Sequence, residues 1–280
     1  MTTAVLDHDP LPVRPGRRAA EPGFRDLLRC EWTKFTSLRS TWWSLTAVVV
    51  LGLGMTVLAT AVLTAQWGHL GPSGQTQYRQ DTIGLILQPG SQWAALAACV
   101  LGVLFIASEF ATGMIRSTVL ATPRRTPVLA AKAVVLGSAL FVLAELLALP
   151  SFLIGSAITH SHAPTALTSP TTLRALLAFG VFVALTGLIA LCVGTLLRHP
   201  AAAISAMVAL QFVLPGALSA LPGGVGSHIA GAMPAGGNVI MGSGHDATDA
   251  YSPLQALLIL VGWTLVMFLV ARISLKRRNV

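Results

Sequence analysis

Four wide gaps in the charge pattern organise this sequence. No charged side chain lies between Arg39 and Arg79, Asp81 and Glu109, Arg174 and Arg198, or Asp249 and Arg272. Each gap holds an apolar run near the ~20 residues that cross bilayer hydrocarbon. With the run that contains Glu145 and the apolar run that follows Arg198, the pattern predicts six spans at 42–65, 92–108, 132–158, 173–197, 201–221 and 253–272. A lone strand in lipid would leave its backbone groups without partners, so the spans read as helices. The strict alternation of an outer-membrane barrel is absent. The expected class is an all-α, polytopic membrane protein.

Shorter patterns fill the spaces between spans. Residues 1–22 are rich in Pro, Arg and small residues and predict a disordered tail. Phe24, Leu27, Leu28, Trp32, Phe35, Leu38 and Trp42 then recur at three- and four-residue steps, with Arg25, Arg29, Glu31, Lys34 and Arg39 on much of the remaining surface. This predicts an amphipathic helix over 23–41 lying in a headgroup layer. In that helix Glu31, Trp32, Lys34, Arg39 and Trp42 are the candidate interfacial or partner-contacting residues. The transmembrane unit occupies 42–272 and a basic tail 273–280. Residues 66–91 predict a short irregular cap, and 197–201 a tight hairpin with Arg198 and His199 at its tip. Residues 222–243, dense in Gly and Pro and without lysine or arginine, predict a partly inserted, re-entrant element.

Composition agrees with the pattern. The chain has 280 residues, 54% of them hydrophobic and 10% charged, with a mean hydropathy of +0.73. Soluble domains carry about 25% charged residues. Seven basic residues precede the first span, four lie between spans two and three, Arg198 follows the fourth, and four close the chain, so sixteen of eighteen fall on one side. The positive-inside rule makes that side cytoplasmic, with both termini there and the protein in the cell membrane. The net charge of +8 then reports orientation and contact with anionic lipid headgroups, and no nucleic-acid-binding motif interrupts the apolar runs. The polar first forty residues lack a signal peptide's order, which implies that the first span is retained. Cys30, Cys99 and Cys192 have no disulfide or metal spacing.

The search for chemistry returns mainly absences. There is no HExxH and no GxSxG, and no lysine follows a glycine, so a GxxxxGKS/T P-loop is missing. The expectation is that the chain is not an enzyme and binds no cofactor or metal itself. His160 and His162 lack a third ligand nearby. His228, His245, Asp246 and Asp249 share one loop without a site-like spacing. Glu145 lies midway through the third span, where a carboxylate costs about 2.5–3.5 kcal/mol to insert, so it requires a partner, water or a pathway. Two readings stand: a buried Glu bonded to a neighbouring helix or protonated, and a gating or pathway residue. Gln211 in the fifth span is a weaker instance of the same choice. Pro150 and Pro215 predict kinks. Gly180, Gly187 and Gly194 form a small-residue seam at which another helix can pack closely.

The segment from Glu109 to Thr126 is charged and turn-rich between two spans. Phe110 and Met114 share a face of a short helix, Gly113 permits close approach, and Arg116, Arg124 and Arg125 offer positive charge. They serve either topology alone or a coupling element that docks on a separate protein.

From Cys30 onward the chain resembles the permease subunits of bacterial ABC-2 type transporters. The resemblance rests on Glu31-Trp32-Thr33-Lys34 with Leu38-Arg39-Ser40-Thr41-Trp42-Trp43, like the family's interfacial helix leading into span one. It rests also on Glu109-Phe110-Ala111-Thr112-Gly113-Met114-Ile115-Arg116 with Pro123-Arg124-Arg125, which looks like its E-Y/F-x-x-G-x-I/L-R/K segment and basic turn. Leu197-Arg198-His199 and Lys276-Arg277-Arg278 also fit. The resemblance implies an exporter in which two such units, a second copy or a paralogue, meet around a path. It implies docking on a cytoplasmic ATPase, which holds the ATP and magnesium, through Glu109, Phe110, Gly113, Met114 and Arg116. The alternative is a non-transporting membrane protein, a sensor or assembly factor.

Overall fold

A computed structural model describes residues 23–111, 125–221, 224–242 and 250–277. Among these there is no strand. Helix α1 (Phe24–Ser37) leads through Leu38 into α2 (Arg39–Ala65). Then follow α3 (Pro72–Gln80), α4 (Thr82–Ala111), α5 (Arg125–Thr159) and α6 (Pro170–Leu197). The chain continues with α7 (Pro200–Val208), one π-helical turn at Ala209–Val213, α8 (Leu214–Ser219), α9 (Val225–Gly231), a 3₁₀ segment (Pro234–Met241) and α10 (Pro253–Arg277). Six helical units, α2, α4, α5, α6, α7 through α8, and α10, are long and apolar enough to span a membrane. The protein is an all-α polytopic membrane protein.

Helices α4 and α6 form the centre: two-thirds of the apolar window of each is buried, against a third or less for the other spans. Their closeness has a backbone cause. A Cβ on Gly102 of α4 would stand 2.4 Å from the Gly187 carbonyl oxygen of α6, so only glycine permits this crossing. The predicted seam on α6 is used along its length, with Gly180 against Glu145, Gly187 against Leu140, and Gly194 against Val103 and Ile106. Leu129 of α5 packs with Ala271 and Leu275 of α10, so the end of the sixth span lies at the same end of the bundle as the start of the third.

The first, fourth and fifth spans hold their expected boundaries within a turn, whereas the second and third begin earlier, the third at Arg125 rather than 132, and the sixth runs on from 272 to Arg277. The second span begins at Thr82 rather than near residue 92, because Pro89 lies inside a continuous helix. Proline removes only its own bond to the fourth preceding carbonyl, here that of Leu85, and spans tolerate such a loss. The expected irregular cap at 66–91 is instead largely helical, and Trp67, Tyr78 and Arg79 stack together within it. The expected re-entrant element resolves into α9 and the 3₁₀ segment. The latter buries Pro234, Ala235, Gly237, Ile240 and Met241, packed against α4, α6, α9 and α10. Arg174 donates to the Gly242 carbonyl and fastens its end.

Pro215 explains the break in span five. It cannot donate to the Gln211 carbonyl four residues earlier, and the backbone widens into the π-turn, in which Leu214 N–H bonds the Ala209 carbonyl. Gln92 of α4 supplies the missing donor: its Nε2 lies 3.2 Å from the Gln211 carbonyl oxygen.

Candidate functional site: a buried charge knot at the base of the span two–three connection

Helix α1 starts at Gly23, whose N–H donates to the Asp26 carboxylate at 3.0 Å, with that acid in the favourable first turn. It stops at Leu38, whose extended backbone turns the chain into α2, and Trp42 Nε1 donates back to the Thr36 carbonyl at 3.0 Å to fix the corner. One face of α1 lies on the bundle. Phe35 is buried there and meets Phe105 of α4 edge-on, with ring centroids 5.4 Å apart. The same face carries two charged residues, Glu31 and Lys34, three apart and therefore neighbours. Sequence periodicity had put both on the polar face. Phe24, Trp32, Leu38 and Trp42 of the apolar stripe stay exposed.

Glu31 turns inward because two cations meet it. Its carboxylate accepts from Lys34 Nζ at 2.9 Å and from Lys132 Nζ of α5 at 2.5 Å. Glu109, in the last turn of α4, accepts through Oε1 from Lys34 at 2.9 Å and from Lys132 at 3.0 Å. Lys132 is fully buried, its Nζ lies 4.2 Å from the centre of the Phe105 ring, and it reaches the Phe105 carbonyl at 3.5 Å. Two carboxylates and two ammonium groups thus alternate in a closed, electrically neutral ring. Burial alone pulls the Lys34 pKa down, but hydrogen bonds to Glu31 and Glu109 outweigh it and hold the group above the ordinary lysine range. A raised lysine pKa stabilises the fold below about pH 10.4, and that contribution is lost only as pH climbs through the higher folded value.

The position of the ring gives it meaning. Glu109 immediately precedes the connection between the second and third spans, and Lys132 follows it by two turns of α5. The two flanks of that connection are therefore clasped to each other, and α1 is clasped to both. Phe110, half-buried, carries the Arg198 guanidinium 5.2 Å above its ring. Arg198 ends α6 in the left-handed conformation (φ 56°), which brings the hairpin of spans four and five to the same spot. Gly113, Met114, Arg116 and Arg124 lie outside the described residues, as does the side chain of Arg125. Among the expected coupling residues, only Glu109 and Phe110 can be placed.

The remaining candidates lie elsewhere. Glu145 rests against Gly180, and its buried Oε1 has no hydrogen-bond partner among the described residues. Gln211 is buried beside α4, its side-chain amide likewise without a partner, and no hydrogen bond joins it to Glu145. His162 pairs with Ser161 and stacks on Trp67. His228 packs on Tyr251, while His245, Asp246 and Asp249 lie outside the described residues. Among the described residues, no group of three or more His, Cys, Asp or Glu could hold a metal ion. Lys132 is the participant that sequence reasoning missed, having been counted only as a topology charge. Its signal was its place: one lysine seven residues inside an apolar helix, with no local acid to pair it.

The chain matches no protein-family model, and comparison with curated proteins returns no match.

Proposed function

We propose that this chain is the membrane-spanning permease subunit of an ATP-binding-cassette exporter of the ABC-2 type, driven by a separate cytoplasmic ATPase. The observation that carries the reading is the charge knot. A segment that only joins two spans gains nothing from having both flanks locked to each other and to a preceding helix. A segment that receives a push requires it, because the load must pass into α1, α4 and α5 together. The basic-residue distribution supports placing this end of the bundle in the cytoplasm. Supply of ATP and magnesium by a partner follows from the lack of a P-loop in the sequence.

In this mechanism residues 110–125 form the contact, and Glu109 is the internal fastening beneath them. ATP-driven movement of the partner tilts the spans as rigid bodies between two packings, with a second copy or a paralogue completing the path. The seam of α6 against α4 and α5 lets the central spans move as one body.

The test is co-expression with the P-loop ATPase encoded by a neighbouring reading frame. The two should co-purify, and replacing Arg116 and Arg124 with alanine should reduce association at least tenfold while the permease still elutes as a single species. A permease that never associates with that ATPase, or whose ATP-dependent transport survives both replacements unchanged, would sink the proposal.

A further inference from the structure

A slot of about 350 Å³ runs between α1, α2 and α5, walled by Trp32 and Phe35 of α1, Trp42 and Leu45 of α2, and Ala139 and Leu143 of α5. Its lining is graded. Hydroxyls from Thr36, Thr41 and Ser138 lie toward the α1 end, and only hydrocarbon from Leu45, Val142, Leu143 and Leu146 lies beyond. The wall from Ser138 to Leu146 is about 12 Å long at ~1.5 Å per residue. That is close to one leaflet of hydrocarbon, half of the ~30 Å core. The flank is open, since Trp42, Val142 and Leu146 are all exposed on a surface that faces the bilayer.

Charge completes the pattern. Arg39 begins α2 three residues before Trp42, a lining residue of the slot, and so neighbours it on the helix surface; its exposed side chain makes no hydrogen bond or ion pair with any described residue. Lys34, by contrast, is committed to the knot. An unpaired guanidinium one turn from the lining Trp42, beside an apolar, leaflet-long slot, matches one ligand chemistry: an anionic headgroup with an acyl chain beneath it. Exposed Trp32 and Trp42 at the same level suit the boundary between headgroup and chain.

We infer that this slot binds one acyl chain of an anionic phospholipid, with its phosphate held by Arg39. The site rests on the six-span fold and on α1, and it stands whether or not the chain couples to an ATPase. An occupied slot wedges α1 against α2 and α5, so the lipid props the helix that the charge knot fastens from the other side.

The test is native mass spectrometry of the full chain released from nanodiscs of phosphatidylcholine with one-fifth phosphatidylglycerol. One phosphatidylglycerol should be retained per chain. Arg39→Gln, an exposed change that leaves packing intact, should lower its occupancy about tenfold relative to phosphatidylcholine. Ala139→Phe should fill the slot and abolish retention of either lipid, with a single elution peak confirming the fold. Should that variant not elute as a single peak, Arg39→Gln decides alone. Equal retention of both lipids by the unaltered chain, retention of detergent instead, or undiminished phosphatidylglycerol binding by Arg39→Gln would each overturn the site.

Discussion

Replacing Lys132 with methionine would leave Glu31 and Glu109 to share a single cation, Lys34, which is itself partly open to solvent. Removing one partner of a buried ion pair costs about 3–5 kcal/mol, because a charge is stranded rather than because a bond is lost. Lys132→Met should therefore lower the thermal midpoint of the detergent-purified protein sharply. Adding Glu31→Gln restores neutrality and should recover more than half of the loss. If Lys132→Met melts like the unaltered chain, the ring is not what holds α1. The sequence displayed every member of this ring but not their company. Glu31 and Lys34 fit a solvent-facing stripe equally well by spacing, since their distant partners lie 101 residues away in α5 for Glu31 and 75 residues away in α4 for Lys34. Local periodicity cannot register a partner at that distance.

Helices were far more legible. The six spans emerged from uncharged runs because bilayer thickness sets their length, whatever the helices pack against. The expected start of the second span missed Pro89, which α4 runs through, whereas the fifth span continues past Pro215 as expected, its irregularity there taking the form of one π-turn. The second case makes a measurable claim. Gln92→Leu leaves the Gln211 carbonyl unpaired inside the bundle and should cost about 1–3 kcal/mol in thermal stability. Pro215→Ala gives that carbonyl a backbone donor, and in its background Gln92→Leu should cost no more than about 0.5 kcal/mol. Additive losses in the double-mutant cycle would mean that Gln92 does something other than replace the missing bond.

The bundle as a whole has two ends but no label saying which faces the cytoplasm, and only charge distribution provides one. The cysteines allow a direct check. Cys30 is exposed on α1, whereas Cys99 and Cys192 are buried. A membrane-impermeant maleimide should leave intact cells unlabelled and modify Cys30 alone in inside-out vesicles. Labelling in intact cells would invert the topology and remove the basis for coupling. The candidate site was only half legible at this scale. The sequence marked the connection between spans two and three by its charges, but not the clasp that closes it, because the clasp depends on how α1 returns across the bundle.

That clasp also separates two tasks. Glu109 and Lys132 fix where the connection leaves the bundle and where it returns, so the anchoring of the stretch between them does not depend on its own sequence. A loop with held ends accepts changes of length cheaply. Under the proposed coupling role, grafting a different sequence at 112–124 should redirect the choice of partner while the clasp of Glu109 and Lys132 stays as it was.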